Sequence, residues 1–299
     1  MLASVTLPPA LLFINAPFGR FTPKNQKSLL LVDGLKSWIV MELVSPISFI
    51  YMFYTSPLSE SSTPMQWNSP HTILALCFLV HYANRAIINP LRTPSRSKSH
   101  IIVPLFAVAF NLINGSLMGT YLSSPYARIF LSARSTTPFY VGLTLWALGL
   151  IGNILHDEIL LNIRRKANSK GKGRAEAGEH YAIPQGGLYT FVSYPNYLCE
   201  WIEWLGFAIA ASPFPFALDT ISVASISTIF SSLLDPKLYI AIIKEPGYIF
   251  APNLSPPWIF FISEVLLMLP RAYRGHQWYK SKFGNSYPGE RRAVIPFVL

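Results

Sequence analysis

The stretch IIVPLFAVAFNLINGSLMGTYL, Ile101–Leu122, runs for 22 residues without a charged side chain. About twenty apolar residues in a helix are enough to cross the hydrocarbon core of a bilayer. The run does not alternate, as strands of a membrane barrel would. A lone strand also leaves its backbone unsatisfied in lipid, so the segment reads as a helix. Apolar runs of spanning or near-spanning length recur on both sides of it: Trp38–Tyr54, His71–Asn89, Phe139–Ile163, Asn196–Ala211 and Pro257–Leu269. A shorter stretch, Leu2–Ala16, carries Pro8 and Pro9 and lacks the basic start of a signal peptide. It reads as a shortened first helix. The expectation is an all-α polytopic membrane protein: a seven-helix bundle forming one membrane-embedded domain over 1–299.

Composition agrees. Of 299 residues, 51% are hydrophobic and only 13% charged, where soluble domains carry about 25%. The mean hydropathy is +0.35. Lipid covering much of the outside explains the shortage of surface charge. The net charge is +10, and the basic residues cluster between apolar runs. They do not interleave with aromatics on a polar surface, which speaks against nucleic-acid binding. Cys77 and Cys199 are far apart, in apolar runs, and make neither a disulfide framework nor a CxxC site.

Charge asymmetry orients the bundle. Phe18–Ser37, Pro90–His100, Arg164–Glu179 and the tail from Arg271 hold most of the Lys and Arg. Thr55–Pro70 holds none, and Ser123–Pro138 only Arg128 and Arg134. The four basic segments therefore share one side, the cytosol. Were Thr220–Leu234 to span, the tail would fall opposite the Arg164–Glu179 loop. Pro213–Ser255 is therefore expected to be a non-spanning excursion before the last helix.

Polar groups at membrane depth are where function is expected. Glu42 sits inside Trp38–Tyr54; a helix-end glutamate near the interface is the competing reading. His81-Tyr82-Ala83-Asn84-Arg85 lies inside the next run. Tyr82 and Arg85 share a helix face, so a tyrosine beside a buried cation is a plausible proton donor; an interfacial aromatic and a snorkelling arginine are the alternative. Asn153, Asp157 and Arg164 recur at spacings of four and seven, which suits a ligand with a ribose and phosphates, or else an internal salt-bridge ladder. Asn196, Glu200 and Glu203 repeat that pattern; a cofactor cleft, a transport path or a proton relay would each use them. His156 and Asp157 lack zincin spacing, and no metal is expected. Lys170–Gly178 is glycine-bearing but is neither GxGxxG nor a P-loop. Tyr181–Tyr189 is broken by Pro184 and opened by Gly186 and Gly187, a loop that would close over a membrane cavity. Arg271, Arg274, His276, Trp278 and Tyr279 form a basic aromatic tail, suited to anionic lipid or to phosphate and adenine.

YAIPQGGLYTFVSYPNYLCEWIEWLGFAIA (Tyr181–Ala210) and RAYRGHQWYKSKFGNSYPGERRAVIPFVL (Arg271–Leu299) resemble the signature and C-terminal end of the steroid 5α-reductase family. SWIVMEL around Glu42, HYANR, Asn114-Gly115 and NILHDEILLNIRR (Asn153–Arg165) match in order. The resemblance implies a seven-helix fold that binds NADPH from the cytosolic side, with 150–299 as the cofactor-binding half. It implies reduction of a carbon–carbon double bond conjugated to a ketone, in a 3-oxo-4-ene steroid or similar lipid, at the endoplasmic reticulum. Glu42 and Tyr82 would polarise the substrate carbonyl. Arg85, Asn153, Asp157, Arg164, Tyr181, Asn196, Glu200, Arg271, His276 and Tyr279 would contact the cofactor. Family members often have a second histidine where this chain has Gly275. Related polyprenol and trans-2-enoyl-CoA reductases share the C-terminal pattern. Isoprenylcysteine-type methyltransferases have a similar tail but would need no Glu42–Tyr82 pair. A transporter using Glu200 and Glu203 finds no support in an inverted repeat.

Overall fold

The computed structural model describes residues 17, 21, 30–59, 68–94, 96–133, 136–169, 181–215, 235–237, 240 and 254–299. Seven helices run through them: α1 (Gly34–Thr55), α2 (Pro70–Arg92), α3 (Ile102–Ser123), α4 (Pro125–Ala133), α5 (Thr136–Ser169), α6 (Pro195–Ala211) and α7 (Pro256–Phe283). Helices α1, α2, α3 and α5 are long and apolar enough to cross a membrane. The chain is an all-α polytopic membrane protein. The Leu2–Ala16 reading lies outside the described residues, as does most of Pro213–Ser255. The two ends of that excursion meet: Ser255 donates to Ser212 across 2.7 Å, and Trp258 Nε1 to the Pro213 carbonyl across 2.8 Å.

Large apolar side chains point outward. Val40, Ile47, Tyr51, Ile129 and Leu148 are each at least 60% exposed, while Glu42, Asn111, Asn153, Glu200 and Glu203 are buried. An apolar exterior around a polar interior is the arrangement lipid selects. With no water to expel, helices in lipid associate by close packing over small residues. At Gly115 a Cβ would strike the Ser45 carbonyl, and at Gly119 the Phe49 carbonyl, so these two glycines let α3 lie against α1. Gly142 and Gly206 do the same for α5 and α6, each facing the other's backbone. Phe49, Phe78, Met118, Trp204 and Phe207 fill the centre.

Two elements depart from the sequence reading. Ser123–Pro138, read as a loop, contains α4. Pro125 opens it, the Ser124 hydroxyl accepts from the Ala127 amide across 3.3 Å, and Ala127 is fully buried while Ile129 is exposed. The helix is too short and amphipathic to register as a span. Within α2, residues Ala83–Ile88 form a π-helical turn, with the Asn89 amide bonded to the Asn84 carbonyl. Pro90 has no N–H for the Ala86 carbonyl and its ring crowds that turn, which a wider turn relieves. Arg85 sits on this turn, a kind of irregularity frequent at functional sites.

The described parts of the basic segments are tied to one another. Strand β1 (Leu31–Val32) pairs antiparallel with β2 (Ser99–His100). Arg165 Nη1 donates to Glu158 Oε1 across 2.6 Å, and Glu158 Oε2 accepts from Arg92. The tail returns to the start of α6, where the Ser193 amide donates to the Arg292 carbonyl across 2.9 Å and the Tyr194 amide to the Ala293 carbonyl across 3.0 Å. Asp33 caps α1 by accepting from the Leu35 and Lys36 amides.

Candidate active site

A cavity of about 650 Å3 opens between α1, α2, α3, α5, α6 and α7. Its volume lies in the range typical of ligand sites. One wall is apolar, formed by Phe106, Phe110, Ile113, Leu117, Ile259 and Phe260. The other carries a continuous polar chain.

Arg85 is the node of that chain. Its Nε donates to Glu42 Oε2 across 3.2 Å and its Nη1 to Glu200 Oε1 across 2.8 Å. Glu200 Oε2 accepts from Asn153 Nδ2 at 3.3 Å, and the same amide reaches the Asn196 carbonyl at 3.0 Å. Asn196 Nδ2 donates to Asp157 Oδ1 at 3.0 Å, and Asn89 Nδ2 to Asp157 Oδ2 at 2.8 Å. A spacing of four on both α5 and α6 thus sets four polar side chains into one seam. Both acids are held by donors rather than left as bare buried charges.

Tyr82 lines the cavity and is only 3% exposed. Its hydroxyl donates toward Asn111 Oδ1 at 3.5 Å and accepts from Asn114 Nδ2 at 3.2 Å. Asn111 is fixed in turn by donating to the Met41 carbonyl at 2.8 Å. Glu42 and Tyr82 therefore line the same cavity with different partners: Glu42 holds Arg85, and Tyr82 is framed by two asparagines of α3.

Arg164, Arg271 and Tyr279 also line the cavity. Arg271 Nε donates to the Tyr197 hydroxyl at 3.1 Å. Tyr279 stacks on Tyr287, ring centroids 5.6 Å apart. Tyr181 and His276 are not among the lining residues. Tyr181 packs edge-on against Trp278 at 4.8 Å. His276 is bonded through Nδ1 to the Ser193 hydroxyl at 2.6 Å, and that hydroxyl also meets the Tyr287 hydroxyl at 2.6 Å. Burial, reinforced by Lys280 and Arg292, pushes the His276 imidazole down to about 4, so it is neutral at physiological pH. At Gly275 a side chain would run into the Tyr194 ring, which fills the space.

The sequence reading did not single out Asn89, Asn111 or Glu264, all of which line the cavity. Each is a polar residue at or near membrane depth, the same signal that pointed to Glu42. His156, by contrast, serves the scaffold: its Nε2 accepts from the Leu188 amide at 3.0 Å, holding the glycine-bearing loop to α5.

The site can be compared with known proteins. A sequence model of the 3-oxo-5-alpha-steroid 4-dehydrogenase family matches residues 97–231 and 220–299. An uncharacterized protein of Schizosaccharomyces pombe is 37% identical over 306 residues, covering 97% of this chain and 94% of that protein. The 3-oxo-5-alpha-steroid 4-dehydrogenase 1 of Rattus norvegicus is 29% identical, covering 96% of this chain and 87% of its own length. The steroid 5-alpha-reductase DET2 of Solanum lycopersicum is also 29% identical, with 96% and 89% covered. By the reach of the family match, which covers more than half of its residues, this chain belongs to the 3-oxo-5-alpha-steroid 4-dehydrogenase family, whose members are oxidoreductases acting on CH–CH bonds.

Proposed function

We propose that the protein reduces the carbon–carbon double bond of a 3-oxo-4-ene steroid, or a similar lipid enone, with NADPH as the reductant. The observation that carries this reading is that Tyr82 and Glu42 line one cavity, in which Glu42 is joined through Arg85 to the Glu200–Asn153–Asn196–Asp157 seam. Relatives named for steroid reduction match nearly its full length.

The donor set suits a nicotinamide dinucleotide. Asp157 and Glu200 offer carboxylate oxygens to ribose hydroxyls or a carboxamide, Asn153 and Asn196 hold them in place, and Arg164 and Arg271 bring positive charge for phosphates. Two guanidiniums favour the 2′-phosphorylated form, which carries more negative charge. Most of these residues lie in 150–299, with Arg85 reaching in from the other half. When bound, NADPH supplies a hydride to the β-carbon.

The chain's own residues do the rest. The Tyr82 hydroxyl turns from Asn111 to donate to the substrate carbonyl, where negative charge develops as an enolate. Asn114 holds the tyrosine oxygen in place. Glu42, anchored by Arg85, sits on the same wall and fixes the depth of the guanidinium. The apolar wall accepts the hydrocarbon skeleton and excludes water. The lipid environment, the substrate class and the basic end of the bundle fit the endoplasmic reticulum, with the tail on the cytosolic side.

The test is NADPH oxidation by protein reconstituted in lipid, with a panel of 4-ene-3-ketosteroids, polyprenols and enoyl-CoAs. A product two mass units heavier is expected from the ketosteroids. Reduction of only polyprenol or enoyl-CoA would reassign the substrate. No consumption with any of them, alongside tight S-adenosylmethionine binding, would turn the reading toward a methyltransferase.

A further inference from the structure

Reduction of an enone needs a proton as well as a hydride, because the α-carbon gains a hydrogen after the β-carbon has received its own. Most acidic groups of the cavity are committed elsewhere. Tyr82 serves the carbonyl oxygen, Glu42 and Glu200 hold Arg85, and Asp157 is held between Asn89 and Asn196. One pair is untouched by the chemistry so far. His81 Nδ1 lies 2.7 Å from Glu203 Oε1. Glu203 is completely buried and, among the described residues, its Oε2 has no hydrogen-bond partner.

This pair is built unlike a packing contact. Glu203 does not line the cavity, but His81 does. With Nδ1 taken by the carboxyl group, Nε2 is the nitrogen left for the cavity. The ring is fixed from two sides: Trp204 meets it edge-on at 4.6 Å and Tyr82 at 5.1 Å. A histidine oriented by a buried carboxyl, with its second nitrogen toward substrate, is the arrangement that acid–base catalysis requires. Its neighbour in sequence is the tyrosine that would hold the carbonyl. A carbonyl oxygen on Tyr82 brings the α-carbon, two bonds away, toward the imidazole.

We propose that His81, oriented by Glu203, is the acid that delivers the proton to the substrate α-carbon. This rests on the reductase reading above. The ring and Glu203 together carry one exchangeable proton beyond the hydrogen bond that joins them. As an oxygen pair of the enolate re-forms the carbonyl, the C=C π pair takes the hydrogen from Nε2: the N–H bond breaks, the α-C–H bond forms, and the N–H pair stays on Nε2. Solvent then restores the proton. His81 is the catalytic group and Glu203 a positioning residue. Other charged groups bearing on the ring are Glu200 of α6, Arg85 of α2 and Glu264 of α7. Glu264 also lines the cavity and is the rival donor.

The test is reduction of a 4-ene-3-ketosteroid by the full chain in lipid nanodiscs, run in deuterium oxide with NADPH. The face of α-carbon deuteration is read by NMR, and NADPH binding is measured in parallel. Wild-type protein should place deuterium on one face. His81→Gln should bind NADPH within threefold, turn over about a hundredfold more slowly, and deuterate both faces. Glu203→Gln keeps the ring; it should slow turnover about tenfold and alter the solvent isotope effect while keeping one face. The proposal is overturned by single-face deuteration at the wild-type rate in His81→Gln, by loss of NADPH binding in that variant, or by an unaltered rate and isotope effect in Glu203→Gln. It is equally overturned if Glu264→Gln, and not His81→Gln, loses the facial preference. A wild-type protein that oxidises no NADPH sinks the reductase reading instead.

Discussion

Arg85 Nη1 donates to Glu200 Oε1 across 2.8 Å, and Glu200 is only 3% exposed. Through the same guanidinium, Glu42 is tied to the seam that would hold the cofactor. Glu42 and Glu200 thus share one cation. Stranding a buried carboxylate costs about 3–5 kcal/mol. Arg85→Gln is therefore expected to weaken NADPH binding and to lower kcat/KM by at least about a hundredfold together. Arg85→Lys keeps charge but cannot fork, and should recover only part of the loss. Titration of NADPH fluorescence alongside steady-state kinetics checks this. A variant that loses substrate affinity while binding NADPH normally would show that the two sides are not coupled through Arg85.

Tyr82→Phe removes one oxygen and leaves the tilted ring contact with Phe78, at 4.8 Å, in place. The fold and cofactor affinity should hold. Turnover should fall by about 10²–10⁴, as expected for a lost donor at developing charge. Purified Tyr82→Phe protein with wild-type turnover would remove Tyr82 from the mechanism.

Asn114→Ala tests whether the tyrosine must be held. Asn114 Nδ2 lies 3.2 Å from the Tyr82 oxygen and 3.4 Å from the Ser45 hydroxyl. Losing that donor should lower kcat about tenfold, the worth of roughly one net hydrogen bond. In the Tyr82→Phe background the same substitution should do little more, because it acts through the hydroxyl. A full additional tenfold loss in the double variant would mean that Asn114 acts on its own.

The spans were legible because lipid imposes one rule on every residue outside the bundle. The long uncharged run of Ile101–Leu122 needed no partner to be read. The seam was legible for a related reason: Asn153, Asp157, Asn196 and Glu200 repeat at helical spacing, so their common face follows from each helix alone. What escaped depends on pairs of helices. Nothing in the sequence joins His81 to Glu203, 122 residues away. Glu42 and Tyr82 line the one cavity, but their partners come from elsewhere: Arg85 on the π-helical turn at Ala83–Ile88 for Glu42, and Asn111 and Asn114 of α3 for the hydroxyl. Helix α4 escaped because its apolar face is a single stripe on a short segment. The family and its chemistry came from matching motifs in order, which composition and spacing do not supply.

Gly275 and Tyr194 form a size match that can be exchanged. A side chain at 275 would collide with the Tyr194 ring, which lines the cavity. Gly275→His alone should therefore displace Tyr194 and raise the NADPH Kd. Adding Tyr194→Ala should restore binding at least in part, because it removes the obstacle. If Gly275→His binds NADPH as wild type does, the ring is free to move and the match carries no constraint.

His276 ties the tail to the bundle in a way that pH can report. It bonds Ser193, whose hydroxyl also meets Tyr287, at the place where Arg292 and Ala293 pair with the start of α6. Its imidazole is held down at about 4 from an ordinary 6.5, first by burial and then by Lys280 and Arg292. A folded-state value below the unfolded one means the unfolded chain takes up the proton first as pH falls. Stability should therefore be level above about 6.5, decline from there toward about 4, and lose nothing further to this group below that. His276→Gln has no proton to gain, so its melting temperature should fall less between pH 7 and pH 5 than that of the wild type. Thermal unfolding in detergent at both pH values measures the difference. Equal slopes for the two proteins would show that the tail is not held by a neutral histidine.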